Sequence, residues 1–381
     1  MSKTRVSLIA ALLAIALTST ARAASEPTLI LYDDNNGNVL ETHYGHPKTS
    51  GVFFAAKDGK FPGGAVGPAF SPDGHSVALV KSDPDDGTAS IIVTNRSGHV
   101  IDTPLKNSPT GIVGSLSWSP DSKEIAYECQ RDISDAPSDL CAVSVATGAR
   151  RMLAASTDEL SMPYQGSRVS WSPRGDVIAV GAGHPCDDPS YGCKVSDIAL
   201  VDVATGKVSL LTNHSAGAAV YSPDGSKILY ADGTSTHGEP TGIVVMSADG
   251  THPRQVDPQH GFDQAWSPDG KEIVFSTRIG GNNGNFDIWA EDADGGPLKR
   301  VTDNPDDSIS PAWAPPDTIC TVPKLKGKTL KKAKELIKQA GCKLGKVTGP
   351  KKHRDKRHVV KQDPGPNHNV HAGTKVNVKL G

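Results

Sequence analysis

The 381-residue sequence predicts a mainly β protein, a six-bladed β-propeller followed by a small α+β domain. Three observations predict this fold. A phrase that joins an aromatic residue to a Ser-Pro-Asp-Gly turn, intact in three copies and altered in three, recurs six times at intervals of 45 to 53 residues. The chain is rich in turn-forming residues, with 39 Gly and 28 Pro. The C-terminal part is strongly basic whereas the repeats are acidic, which indicates a second domain.

The N-terminus has the pattern of a secretory signal peptide. Lys3 and Arg5 precede an apolar run from Val6 to Leu17, and the small residues Ala21 and Ala23 suit a signal peptidase. We therefore assign residues 1–24 to a signal peptide and expect an exported protein, located outside the cell, in the cell wall or in the periplasm. A retained membrane anchor is the alternative, but the run is shorter than the roughly 18 to 20 residues that a spanning helix needs. We expect no membrane span in the mature chain.

Each repeat predicts a hairpin, as in AWSPDGKEIVFSTR, Ala265 to Arg278. The aromatic ends one strand, Pro presets φ for the first corner of the turn, Asp bonds the backbone ahead, and Gly takes the positive φ. The alternating run from Glu272 to Ser276 is the next strand. The aromatic positions of the six copies are Phe70, Trp118, Trp171, Tyr221, Trp266 and Trp313.

The interval between copies matches one propeller blade. Most copies continue into a second strand pair, for example Ser196 to Thr212 and Gly242 to Val256. Four short strands form a blade, and a lone blade cannot bury both faces, so the blades must pack in a ring. The last copy lacks its own following strands. We therefore expect the strand pair Thr28 to Thr42 to complete the blade begun by Ser310 to Ala314, giving a closed ring over residues 25–316.

The six cysteines fall into three local pairs, which suggests disulfide bonds in an oxidising compartment. The pairs are Cys129 with Cys141, Cys186 with Cys193, and Cys320 with Cys342. Six cysteines allow 15 pairings, so spacing alone leaves the connectivity open. Zinc binding is the rival interpretation, but none of the spacings is CxxC.

Residues 317–381 form the predicted second domain. From Cys320 onward there are 17 Lys and Arg against 3 acidic residues, whereas residues 1–319 carry 23 against 39. Thr329 can cap a helix with an apolar face from Leu330 to Ala340, and Gly341 would end it. Three short strands follow, at 343–348, 358–362 and 375–380.

These motifs resemble two known families. The WSPDGKEIVF repeats and the trailing DADGG of Asp292 to Gly296 resemble the WD-like propeller repeats of TolB-type proteins. The tail resembles a PASTA domain in Val322-Pro323, Gly327, Gln362-Asp363-Pro364 and Gly373, although Asn367 stands where a Gly is expected. The resemblance implies binding rather than catalysis: TolB-type propellers serve as interaction platforms in the cell envelope, and PASTA domains are associated with peptidoglycan.

The charge of the tail independently favours an anionic partner. Five basic residues lie within seven positions, on what we expect to be a loop with little core to disturb: Lys351, Lys352, Arg354, Lys356 and Arg357. They can attract peptidoglycan or another anionic wall polymer. A solvated charged face without a partner is the alternative. Nucleic acid is not expected, because the protein is predicted to be exported and no aromatic residue follows Trp313 to stack bases. We expect a monomer that carries an envelope protein or a glycan on its propeller.

No catalytic constellation is evident, and we expect no enzyme activity. The Ser of each turn repeats around the ring, which indicates a structural role, and no G-x-S-x-G motif occurs. The alternative function is a secreted propeller-type hydrolase or polysaccharide lyase. No cofactor is expected. Calcium is a weaker alternative for two loops rich in oxygen donors, Asp33 to Asn38 and Asp83 to Gly87, which also make good hairpin turns.

Overall fold

A computed structural model gives the fold of the chain. It describes residues 29–34, 36–55, 65–83, 87–108, 115–129, 138–157, 160, 168–185, 194–213, 216–233, 242–257, 261–279, 284–315, 319–340, 342–366, 369–371 and 375–381. The predicted signal peptide lies outside these residues. Within the described part of the chain, no helix is both long and apolar enough to cross a membrane.

The first three strands belong to one four-stranded sheet: β1 (Leu29–Asp33), β2 (Val39–His43) and β3 (His46–Phe54). Five further sheets follow along the repeats. The first of these has strands β4 (Ala65–Phe70), β5 (Ser76–Ser82), β6 (Ala89–Asn95) and β7 (Val100–Ser108). The second has β8 (Ser117–Trp118), β9 (Glu124–Cys129), β10 (Asp139–Ser144) and β11 (Arg150–Ala154).

The other repeats have the same arrangement. One sheet has β12 (Val169–Trp171), β13 (Val177–Pro185), β14 (Lys194–Asp202) and β15 (Val208–Leu210). The next has β16 (Ala216–Tyr221), β17 (Lys227–Asp232), β18 (Gly242–Ser247) and β19 (Arg254–Asp257). The last has β20 (Phe262–Trp266), β21 (Glu272–Thr277), β22 (Asp287–Asp292) and β23 (Lys299–Arg300). All strand pairs within these sheets are antiparallel.

The ring closes between the two ends of the propeller. Strand β24 (Ile309–Trp313) pairs with β1 in an antiparallel ladder that places Ile30 opposite Trp313. The resulting sheet has the order β24-β1-β2-β3, so the described residues form six four-stranded blades. The predicted closure by the N-terminal strand pair is confirmed. It removes the exposed edges that an open ring would leave.

The propeller core lies between neighbouring blades. Six buried clusters hold the ring together, and each one draws residues from two adjacent blades. Ile30 and Tyr32 of β1, for example, pack with Val274 and Ile288 of the preceding blade. Because each blade buries its faces only against its neighbours, the ring is stable as a whole and a single blade is not.

The C-terminal unit is built around one helix. Strand β25 (Ile319–Thr321) precedes helix α1 (Leu330–Gln339), which is followed by β26 (Lys343–Thr348), β27 (Val359–Asp363), β28 (Asn369–His371) and β29 (Lys375–Leu380). β25 pairs with β28, and the other three strands form a sheet in the order β26-β29-β27. The helix buries Leu330, Ala333 and Ile337 against this sheet.

The predicted helix cap is confirmed. The Thr329 hydroxyl accepts a hydrogen bond from the backbone N–H of Lys332 at 3.3 Å, which satisfies one of the free N–H groups of the first turn. The predicted stop at Gly341 lies outside the described residues. The three predicted strands agree with β26, β27 and β29, whereas the pairing of β25 with β28 was not predicted.

Candidate functional site

The innermost strands of the blades enclose a cavity of about 910 Å³. All six repeat aromatics line it, from Phe70 to Trp313. Two residues beyond each aromatic, a proline of the turn also lines it: Pro72, Pro120, Pro173, Pro223, Pro268 and Pro315. The repeat motif therefore builds the wall of the central channel as well as the hairpins.

The channel wall also fastens neighbouring blades to one another. The indole Nε1 of Trp118 donates to the backbone oxygen of Ala69 at 2.9 Å, and that of Trp266 donates to the backbone oxygen of Val220 at 3.0 Å. These bonds join each indole to the innermost strand of the preceding blade. Trp118 and Trp266 thus link neighbouring blades, and all six repeat aromatics line the channel.

The serines of the turns are committed to their own hairpins. The Ser267 hydroxyl donates to Asp269 at 2.8 Å and accepts the backbone N–H of Glu272 at 2.9 Å. The same pair of bonds forms around Ser71 and Ser222. Both bonds of each hydroxyl lie within its own turn, so the structural interpretation of these serines agrees with the geometry.

A small or polar residue lies three positions before each aromatic. In five of the six copies this residue lines the cavity: Gly67, Ser115, Arg168, Asp263 and Ser310. In four copies the position has a φ of 52° to 65° (Gly67, Ala218, Asp263 and Ser310), and the strand register shifts beside it. These are β-bulges, which re-aim side chains and are common next to functional sites.

Three of these residues join Asp33 in a charged cluster, which we call the channel cluster: Asp33, Arg168, Asp263 and Ser310. Arg168 Nε lies 3.8 Å from Asp263 Oδ1, and its Nη2 donates to the Asp263 backbone oxygen at 3.3 Å. The Ser310 hydroxyl donates to Asp263 Oδ2 at 3.2 Å. Residues far apart in sequence therefore meet where three blades face the channel.

Asp33 is the most perturbed member of the channel cluster. Its side chain is 2% exposed, and Oδ2 accepts the backbone N–H of Gly67 at 2.9 Å. Burial is the main cause that raises the pKa of Asp33 to about 8, and the nearby Asp263 carboxylate raises it further. The hydrogen bonds from the Gly67 N–H and Ser310 and the charge of Arg168 lower the pKa, but by less. At neutral pH the carboxyl therefore holds its proton. Perturbed carboxyls that line a cavity are candidates for function.

Sequence reasoning missed the channel cluster. The signal was present at the third position before each aromatic, which carries Gly, Ser, Arg, Ala, Asp and Ser in the six copies. That position is small or polar throughout, whereas a strand buried between blades would carry apolar residues. Asp33 itself has no such signal, because it lies in the strand that closes the ring.

The calcium prediction concerns Asp33 to Asn38 and Asp83 to Gly87. The Asp34 carboxylate accepts the backbone N–H groups of Asn36 and Asn38 at 2.8 and 3.0 Å and the Asn38 side-chain amide at 2.7 Å. These contacts build a turn between β1 and β2. Residues 84–86 lie outside the described chain. Among the described residues, no group of three or more His, Cys, Asp and Glu is placed to hold a metal ion.

The basic residues predicted as a binding site lie between β26 and β27, around a 3₁₀ turn, Arg354–Lys356. Lys351, Lys352 and Lys356 are exposed. We name these three the basic loop. The segment has little core, as expected of a loop, but its two arginines hold it through hydrogen bonds. Arg354 donates to the Val347 backbone oxygen at 2.7 Å, and Arg357 donates to that of Lys352 at 3.0 Å.

One predicted disulfide is present between described residues. Cys129 and Cys141 are bonded across β9 and β10, with a Cα–Cα distance of 5.8 Å. Cys342 is also disulfide-bonded, but the side chain of its predicted partner Cys320 lies outside the described residues, as do Cys186 and Cys193. No described cysteine is free.

Comparisons with known proteins identify the two parts of the chain. Residues 321–381 match the PASTA domain, so the C-terminal unit is a PASTA domain with one helix. The chain is similar to TolB from Acinetobacter baumannii, at 18% identity over 76% of this chain and 67% of that chain, with a TM-score of 0.57.

A putative TolB from Agrobacterium tumefaciens is 18% identical over 74% of this chain and 90% of that chain, with a TM-score of 0.49. A chain of a nidogen/laminin complex is 12% identical over 75% of this chain and 98% of that chain, with a TM-score of 0.55. A comparison with curated proteins found no match. The N-terminal part is thus a TolB-like six-bladed propeller in fold, joined to a PASTA domain.

Proposed function

We propose that this chain is a non-catalytic binding protein of the cell envelope, in which the PASTA domain anchors it to peptidoglycan and the propeller presents a surface to a protein or glycan. The observation that carries the proposal is the PASTA domain at residues 321–381. PASTA domains are associated with peptidoglycan, and the TolB-like fold of the propeller is compatible with a platform for partners.

The charge distribution supports the anchor. Peptidoglycan carries carboxylates and attached wall polymers carry phosphates, and the PASTA domain is strongly basic while the propeller is acidic. Within the basic loop, the three lysines are exposed and Asp355 is paired with Lys334 of the helix at 2.9 Å. The nearest acidic side chain is therefore engaged elsewhere, which leaves the positive potential of the loop available to an anionic polymer.

The test is to sediment purified peptidoglycan at low salt in the presence of residues 25–381 and to measure how much protein pellets with it. The variant K351Q/K352Q/K356Q removes three exposed charges and leaves Arg354 and Arg357, which hold the loop. The matched control K326Q/K331Q/K338Q removes the same charge from other exposed positions of the domain. We expect the basic-loop variant to lose several times more binding than the control. Equal binding by the parent and both variants would contradict an electrostatic anchor.

A further inference from the structure

The channel cluster contains more carboxyl groups than cations. It contains two carboxyls, Asp33 and Asp263, but a single cation, Arg168. Arg168 contacts Asp263, and among the described residues no ion pair joins a cation to the buried Asp33, on which Arg168 acts only at a distance. A buried carboxylate with no such partner is costly, and it lowers that cost by holding a proton.

Asp33 also has an open acceptor. Its Oδ1 is buried and has no hydrogen-bond partner among the described residues, whereas Oδ2 is bonded to Gly67. Among the described residues of the strands packed against β1, those next to Asp33 are Val39 of β2, Ser310 of β24 and Gly67 of β4, which do not titrate near neutral pH. Two described charged groups act on it, Asp263 of the neighbouring blade and Arg168, which directly precedes β12.

We propose that the channel cluster is a binding site for an organic cation, an ammonium group on an apolar stem, which replaces the proton of Asp33. The ammonium donates to Asp33 Oδ1, and the apolar stem lies along the aromatic wall of the channel. The Asp33 proton passes to solvent, so the net charge of the cluster is zero before and after binding. The ligand class follows from one unpaired buried acceptor, one missing positive charge and an apolar cavity wall.

A metal ion fits these residues less well than an organic cation. Divalent ions prefer six or more oxygen ligands or a closed set of His and Cys. The cluster offers two carboxyls and one hydroxyl, and Arg168 places a positive charge beside them. An ammonium needs only a few acceptors, and burying its hydrocarbon stem against aromatic side chains adds a favourable hydrophobic contribution.

Binding must depend on pH, because the ligand competes with a proton. Asp33 has a pKa of about 8, so affinity should fall about tenfold for each pH unit below that value and stay constant above it. An alkylammonium keeps its own charge up to about pH 9, so the change reports on the protein. The inference does not depend on the PASTA anchor, and either can fail without the other.

The experiment is calorimetric titration of the full chain from residue 25 with butylammonium, in buffers of different ionisation enthalpy. We expect release of about one proton for each ligand at pH 7, falling towards zero near pH 9. The variant D33N should lose about tenfold or more in affinity at pH 8. The control D306N removes an exposed carboxylate outside the cavity and should bind like the parent. Butanol, the neutral analogue, should not compete.

A blocked Gly-Lys-Gly peptide tests the source of the ammonium group. Tighter binding than butylammonium indicates a protein side chain, and weaker binding indicates a small amine; both results support the site. The proposal is overturned by binding without proton release, by equal binding to D33N, by equal binding of butanol, or by no binding of butylammonium at tens of millimolar. Proton release by the unaltered protein decides the question even if D33N does not fold.

Discussion

Asp33 shows how one residue can link the closure of the ring to its stability. It ends the strand that pairs with β24, and its carboxyl is buried at the channel. In the unfolded chain the pKa of an aspartate is near 3.8, whereas in the folded protein it is about 8. Between these values the folded state holds the proton and the unfolded state releases it. The contribution of Asp33 to stability is therefore full below about pH 4 and is lost as the pH rises to about 8.

We expect D33N to be stabilised relative to the parent at pH 8.5 but not at pH 4, because an amide does not titrate. The gain has an upper limit of about 1.4 kcal/mol for each pH unit crossed between the two pKa values. Urea unfolding of both proteins at the two pH values measures it, with the exposed D306N as control. A difference between D33N and the parent that does not change with pH would contradict a buried protonated carboxyl.

The channel cluster could not be predicted from the sequence because each of its members lies in a different segment of the chain, and only the folded ring brings them together. Asp263 and Ser310 adopt a positive φ that Asp and Ser seldom take. No local sequence pattern predicts a positive φ at these two residues. The closure of the ring and the packing of the neighbouring blades impose it. The third position before each aromatic was readable as small or polar, but which of its six residues would meet depends on the order of blades around the ring.

At the scale of the element, the hairpin turn is the part of the fold that the sequence predicts best. The aromatic residues end the innermost strands as predicted, and the turn glycines adopt positive φ, including Gly74 and Gly270. The information is local: Pro, Asp and Gly each satisfy one backbone requirement of the turn. The pairing of β25 with β28 was missed because it joins the two ends of a domain through three-residue strands.

The turn serines should stabilise their hairpins. Ser222 is buried and its hydroxyl accepts the backbone N–H of Lys227 at 2.9 Å while donating to Asp224 at 2.7 Å. We expect S222A to lose about 1 to 3 kcal/mol of unfolding free energy, because the N–H is left without its acceptor. S209A, at an exposed position of β15, is the control and should change stability by less than about 0.5 kcal/mol. Equal effects in thermal or urea unfolding would mean that the hydroxyl contributes nothing specific.

The three disulfide pairs predicted from the sequence can also be tested. The Cys129–Cys141 bond ties two neighbouring strands of one blade, and a bond that closes a short loop stabilises by roughly 2 to 4 kcal/mol. We propose that the protein is exported, and in that case we expect it to contain no free thiol. Mass spectrometry after alkylation without reductant should therefore show no labelled cysteine. Two or more labelled cysteines would contradict the three predicted pairs or the oxidising compartment.

At the scale of the whole molecule, the sequence divides into an acidic ring and a basic domain. Six repeats, a blade-length interval and an unpartnered N-terminal strand pair were sufficient to predict the closed ring, because only one arrangement removes both sheet edges. The charge contrast was also readable from composition. What composition could not show is which basic residues are free: Arg354 and Arg357 hold the loop, while three lysines remain exposed.

In the proposed function, the PASTA domain retains the protein at the wall and the propeller binds a partner. The attraction between exposed charges is screened over about 10 Å at 0.1 M salt. Retention by the PASTA domain should therefore weaken as salt rises, whereas binding of an ammonium inside the channel should depend on salt much less, because buried charges are screened less.

The most direct measurement is cosedimentation with purified peptidoglycan of two chains, residues 25–381 and residues 25–315. The shorter chain keeps both strands that close the ring and the contact from Arg96 to the Pro315 backbone oxygen; circular dichroism and thermal unfolding confirm its fold before use. We predict that the longer chain pellets at low salt and is released as salt increases, while the shorter chain stays in the supernatant. Equal pelleting of the two chains, or no pelleting of the longer one, would contradict the assignment of the PASTA domain as the anchor.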